Sequence, residues 1–266
     1  MTTSATELTT FLMYHELKRA GRPLASTDPG YVRYVVEEDA FVRQMDHLVS
    51  SQMRGLSVSA WIDGAAAGEP CVVLTFDDGC ETDLIAATPI LHERGFGATC
   101  YLTVDFLDTP GFLSRAQARE LAASGIEIGC HSMSHAFLSD LDDVGLAREI
   151  VESKDCLEQI CGVRIRSFSC PGGRFDDRVL PLALKSGYDS VTSSRAIQNA
   201  RAHASVLLGR VAIMKSTDLA RFGRLASGHD VGEARLRDAV LARAKSVLGN
   251  SLYESLRAGL LRLVSR

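Results

Sequence analysis

Cys71-Val72-Val73-Leu74-Thr75-Phe76-Asp77-Asp78-Gly79 is the stretch on which the reading of the fold turns. A continuous apolar run closed by Asp-Asp-Gly reads as a buried parallel strand followed by a loop. Downstream, residues 82–94 carry helical spacing (Leu84, Ile85, Ala87, Ile90, Leu91) that stops at Gly95, and Ala98 to Val104 reads as the next strand. Ser114 and Gln117 open a helix as a capping box, Gly125 closes it, and Ile126 to Cys130 forms a strand. A helix over 143–161, a strand at Ser167 to Ser169, a helix near 176–186, strands near 188–192 and 206–213 and a helix near 216–225 continue the alternation. Upstream, Phe11 to His15 is a short strand and 38–50 an amphipathic helix (Phe41, Met45, Leu48, Val49). So many β-α units imply a parallel sheet, as a barrel or a wide doubly wound layer.

Chemistry gathers where such a sheet would expose it. In a barrel, functional residues lie at the C-terminal ends of the strands, and Asp77, Asp78, His131 and Pro171 all occupy such positions. His131 and His135 lie in His131-Ser132-Met133-Ser134-His135. Both imidazoles can reach one ion if the residues between them turn helically. One carboxylate of the Asp pair completes a two-His, one-carboxylate site that leaves a position open. Adjacent side chains in an extended segment diverge, so the other carboxylate is free to accept a proton from water activated by the ion. An Asp-Asp-Gly alone is usually a turn, and a His pair alone often a solvated helix face. Their joint placement after two strands of one array is what points to a hydrolase.

Bulk properties agree. Hydrophobic residues make up 46% and charged residues 23% of the 266, ordinary for a globular chain. A net charge of −4 lacks the basic footprint of a nucleic-acid binder. No secretory signal or spanning segment is visible, which sets the expectation of a cytoplasmic enzyme. The seven cysteines include no Cys-x-x-Cys pair and read as small buried hydrophobes. Residues 1–228 are assigned to the barrel. Residues 229–266 form a basic tail with apolar residues at helical spacing, interrupted at Gly249-Asn250. That tail is expected to pack on the barrel or on another subunit, or to lie along a membrane surface.

Thr75-Phe76-Asp77-Asp78-Gly79 followed by His131-Ser-x-Ser-His135 resembles the first two motifs of the NodB-type polysaccharide deacetylases, carbohydrate esterase family 4, over about residues 9–225. The resemblance implies a distorted (β/α)7-8 barrel that removes N- or O-acetyl groups from polysaccharides with a divalent ion, typically Zn²⁺. It implies Asp77 as catalytic base, Asp78, His131 and His135 as metal ligands, and Ser132 and Ser134 as buttresses of the loop. An acetylated carbohydrate is the implied partner. The third motif departs from the family's Arg-Pro-Pro-Tyr-Gly: here it is Ser169-Cys170-Pro171-Gly172-Gly173-Arg174. Gly172 can still supply a backbone oxyanion donor, whereas the arginine that orients the base is missing. Arg174 is the candidate replacement, set against a solvated loop residue. The late strand Leu207-Leu208-Gly209-Arg210-Val211-Ala212-Ile213 has no general-acid His. The family's exopolysaccharide deacetylase branch is permuted and carries that His on an N-terminal Tyr-His strand, which Tyr14-His15 resembles. His15 is therefore assigned as the acid, with His203 next in line, and His47 and His92 are expected at the surface. Hydrolysis of a small amide or cyclic imide, and a non-catalytic carbohydrate-binding role, stand as alternatives.

Overall fold

The structure, a computed structural model, describes residues 8–201 and 206–236. Its main sheet runs through eight successive strands: Asn199–Ala200, Leu8–Tyr14, Cys71–Phe76, Thr99–Leu102, Glu127–Cys130, Ser167–Ser169, Ser190–Thr192 and Leu207–Leu208. Two short strands attach off this path, Arg54–Leu56 beside Cys71–Phe76 and Val211–Ala212 beside Leu8–Tyr14. All these pairings are parallel except that of Asn199–Ala200. The expected single strand over 206–213 is split. Leu207–Leu208 pairs with Ser190–Thr192, while Val211–Ala212 pairs with the first strand, so this one segment nearly closes the sheet into a barrel. Gly209 and Arg210 form the step between the two pairings. A side chain on Gly209 would collide with Ile197 and the Arg195 carbonyl, which explains glycine at the seam.

Side-chain alternation divides the core. Leu12, Tyr14, Val72, Leu74 and Phe76 belong to the large cluster shared with the helices, among them Glu38–Ser50, Arg115–Ala123 and Ser153–Cys161. Phe11, Val73, Tyr101 and Leu208 form a second cluster with Val58 and Trp61. Gly129 leaves the space that the Tyr101 ring occupies; a Cβ there would overlap the ring. On the same side, Thr75, Ser167, Ser169 and Ser190 are buried; Ser190 Oγ donates to Ser167 Oγ at 2.9 Å, and Tyr101 Oη and Ser167 Oγ lie 2.6 Å apart. The interior is thus apolar at one level and hydroxyl-lined at the next, so a buried charged group there has partners.

None of the seven cysteines forms a disulfide, and six of them are buried, as their apolar surroundings suggested. The assigned tail begins within view: residues 231–236 are helical, and Val231 and Ala234 join the main core. Residues 237–266, which carry the rest of that assignment, lie outside the described residues, as does His203. Among the described residues no helix is long and apolar enough to cross a membrane. His47 is half-buried rather than superficial, its ring 6.1 Å from that of Phe222 in the helix Leu219–Ala226, whereas His92 is exposed.

Candidate active site

The Asp loop leaves the end of Cys71–Phe76 held by the first strand, with the Asp77 N–H donating to the Tyr14 carbonyl at 3.0 Å. Asp78 then adopts φ +80°, a conformation that its short polar side chain tolerates better than most. The two carboxylates diverge as expected, through this left-handed residue rather than an extended one. Asp78 turns towards His131 and His135, and Asp77 towards Arg210.

The His segment corrects one expectation. Residues 131–135 make no helical turn: Ser132 and His135 have φ of +73° and +63°. Two contacts hold this shape. The His135 N–H donates to Ser132 Oγ at 3.0 Å. Buried Glu149 accepts from the Met133 N–H (3.0 Å), the Ser134 N–H (2.8 Å) and Ser134 Oγ (2.6 Å). Both serines therefore brace the loop. Glu149 was not legible in advance, because one glutamate on a long helix carries no distinguishing mark.

Geometry favours a cation at the centre of this group. Asp78 Oδ1 lies 3.6 Å from His131 Nε2 and 3.5 Å from His135 Nε2. Ligand atoms at about 2.0–2.2 Å from one ion stand roughly 3–3.5 Å apart. The Ser169 carbonyl, an acceptor only, takes the His131 Nδ1–H at 2.9 Å and leaves the Nε2 lone pair facing Asp78. Asp78 Oδ1 is buried without a hydrogen-bond partner, an unfavourable state that a bound cation would relieve. Burial pushes Asp78 up to about 6 and His131 down to about 3, and it also lowers His135. Both imidazoles are therefore neutral at neutral pH, as ligation requires.

Asp77 has a different environment. Arg210 is 1% exposed and donates to both of its oxygens, Nη1 to Oδ1 at 2.7 Å and Nη2 to Oδ2 at 2.8 Å. The same guanidinium donates to Ser169 Oγ (2.8 Å) and Thr75 Oγ1 (3.2 Å) and stands over the Tyr101 ring at 5.2 Å. Burial would raise the Asp77 pKa, but Arg210, with help from His131, outweighs it and holds the group well below the carboxylate range. Arg174 does not fill this role, because its guanidinium lies over the Phe137 ring at 3.8 Å. The signal for Arg210 was a lone cation inside an otherwise apolar strand.

His15 follows the first strand and is close enough for its charge to bear on both Asp77 and Asp78. Its ring stacks on Tyr34 at 4.7 Å, and its Nδ1 is buried without a partner. Gly172 is exposed at φ +59°, three residues beyond the Ser169 carbonyl that holds His131. The structure thus brings Asp77, Asp78, His131, His135 and His15 together and sets the Gly172 loop beside them.

A nearly closed (β/α) barrel of this kind is the fold found in solved polysaccharide deacetylases. The polysaccharide deacetylase family model matches residues 64–191, from ahead of the Asp pair to beyond the Gly172 loop, and the chain carries a polysaccharide deacetylase domain of the NodB type. It is 28% identical to YxkH of Bacillus subtilis over 155 residues, 58% of this chain and 56% of that one. It is also 28% identical to the peptidoglycan-N-acetylglucosamine deacetylase of Bacillus cereus, over 46% of this chain and 56% of that one. The chain spans little more than half the length of these curated relatives. In fold it is similar to the Streptococcus pyogenes deacetylase PplD, with a TM-score of 0.73 at 20% identity, covering 84% of this chain and 99% of that one. The first strand, pairing with both Cys71–Phe76 and Val211–Ala212, is consistent with the permuted branch.

Proposed function

We propose that the protein is a divalent-metal-dependent hydrolase that removes acetyl groups from a polysaccharide, an oligosaccharide or a glycan precursor. The observation that carries this reading is one pair of adjacent carboxylates with two separate environments. Asp78 is orphaned beside two neutral imidazoles, while Asp77 is ionised and fixed by Arg210.

In this mechanism Asp78, His131 and His135 hold the ion. A bound divalent ion, expected to be zinc, would polarise the acetyl carbonyl and make water easier to deprotonate. Asp77 accepts the proton of the attacking water, its orientation set by Arg210. The Gly172 N–H donates to the oxyanion of the tetrahedral intermediate. His15 gives a proton to the departing amine or alkoxide. The low basicity of Asp77 makes it a fixed proton acceptor that depends on prior activation of the water.

The test pairs metal content with acetate release from N- and O-acetylated oligosaccharides and sugar nucleotides. About one divalent ion per chain is expected, with both binding and turnover lost in His131→Ala and His135→Ala. Asp77→Asn is expected to keep the ion and lose about 10²- to 10⁴-fold in rate. Full metal occupancy in the double His variant would overturn the ligand set. Turnover of small amides or imides alone would overturn the carbohydrate reading.

A further inference from the structure

The loop that follows Thr99–Leu102 is stitched to both halves of the candidate site. Towards the His segment, the Val104 and Asp105 N–H groups donate to the Ser132 and Met133 carbonyls at 3.2 and 2.9 Å. Towards the Asp segment, the Leu113 N–H donates to the Gly79 carbonyl and the Glu81 N–H to the Gly111 carbonyl, both at 3.0 Å, and Phe112 forms an isolated bridge with Cys80. Inside the loop, the Asp108 N–H closes onto the Leu113 carbonyl at 3.0 Å. Backbone bonds therefore tie this strap to both segments of the site.

Phe106 is the ring the strap presents beside the ion site. It lies near-parallel to His135, with centroids 5.7 Å apart and planes 26° apart, and it rests on Phe112 at 4.7 Å. Neither phenylalanine sinks into the core; both are half-exposed, while Leu113 of the same strap is fully buried. A buried anchor and backbone stitching already secure the strap, so the two half-exposed rings are left over by its architecture. An aromatic face presents negative charge density to polarised C–H groups. The apolar face of a pyranose supplies a row of such groups, whereas a flat amide or imide supplies few. A sugar whose acetyl carbonyl reaches the ion site must place its ring within a few ångströms of His135, which is where Phe106 lies.

We propose that Phe106, backed by Phe112, is the specificity-determining platform on which the pyranose carrying the acetyl group stacks. This rests on the carbohydrate reading above and narrows it to substrates that present an apolar ring face. The experiment compares wild type, Phe106→Ala and Phe106→Trp. Penta-N-acetylchitopentaose is the probe, in acetate-release kinetics and in saturation-transfer NMR on the Asp77→Asn background. Phe106→Ala should raise KM about tenfold, with a smaller change in kcat, and weaken the NMR effect on the ring protons. Phe106→Trp should restore both, and metal content should stay at the wild-type level in each variant. Unchanged KM and binding in Phe106→Ala would overturn the platform, as would absence of any sugar binding by the wild-type background. Loss of metal in Phe106→Ala, with a sugar-free aryl acetate slowed as much as the oligosaccharide, would show that the ring merely supports His135. Sugar binding that depends on Phe106 without acetate release would leave the platform standing and remove the proposed reaction.

Discussion

The guanidinium of Arg210 and the carboxylate of Asp77 face each other inside the barrel through two hydrogen bonds of 2.7 and 2.8 Å. Their strands are not sequence neighbours: Asp77 follows Cys71–Phe76, and Arg210 sits at the seam that nearly closes the sheet. Ser169, at the position where the family's third motif has an arginine, is itself a partner of Arg210 at 2.8 Å. A long cationic side chain at 169 would compete for the space that Arg210 now fills.

Removing one partner of such a buried pair leaves an uncompensated charge. Arg210→Gln is therefore expected to lower unfolding stability by about 3–5 kcal/mol. Adding Asp77→Asn should recover much of that loss, since no buried charge remains, without recovering turnover. Urea unfolding of the single and double variants measures this. Equal stability for Arg210→Gln and wild type would mean the pair is not held as described.

Asp78 should show a cost that depends on pH. Its folded pKa, pushed by burial up to about 6, lies above the unfolded value of about 3.9. The folded state therefore holds the proton more tightly. The associated stability is present below the unfolded value and is lost as pH rises through about 6. In metal-free protein at pH 8, Asp78→Asn should accordingly be more stable than wild type by about 1–3 kcal/mol, a difference that closes near pH 4. Divalent metal should reverse the order at pH 8, because only wild type keeps its full ligand set. Thermal melts with and without chelator decide it, and a pH-independent difference would refute the assignment.

Glu149 is expected to act on the ion without touching it. Glu149→Gln places an amide among three donors that need acceptors, and the positive-φ loop carrying His135 should relax. Metal affinity should fall about 10- to 100-fold, as for other supports of ligating side chains. Chelator competition on purified protein reads this directly; unaltered affinity would show that the other hydrogen bonds to the loop suffice to hold it.

Substitution of His15 by alanine should leave fold and metal content intact. Rates on an acetamido sugar should collapse, because an amine leaves poorly without a proton. An activated aryl acetate, whose phenolate departs unaided, should be affected far less. Equal losses on both substrates would assign His15, stacked on Tyr34, a structural part only.

Local pattern was sufficient for much of this protein. The strand Cys71–Phe76, the capping box at Ser114 and Gln117, and the strands that end at the Asp and His segments follow from runs and periods a few residues long. Asp78, His131 and His135 could be picked out because ligand chemistry restricts residue type and because each follows a strand. Only the folded chain decided how they meet. The His segment is set by left-handed residues and by Glu149 rather than by a helical turn, since hydrogen bonds from a distant helix override local spacing. Arg210 reached Asp77 because closing the sheet brings residues 133 positions apart within 2.7 Å. A single buried cation in a strand announces that it needs a partner; which carboxylate supplies the charge is fixed by the order and register of the strands.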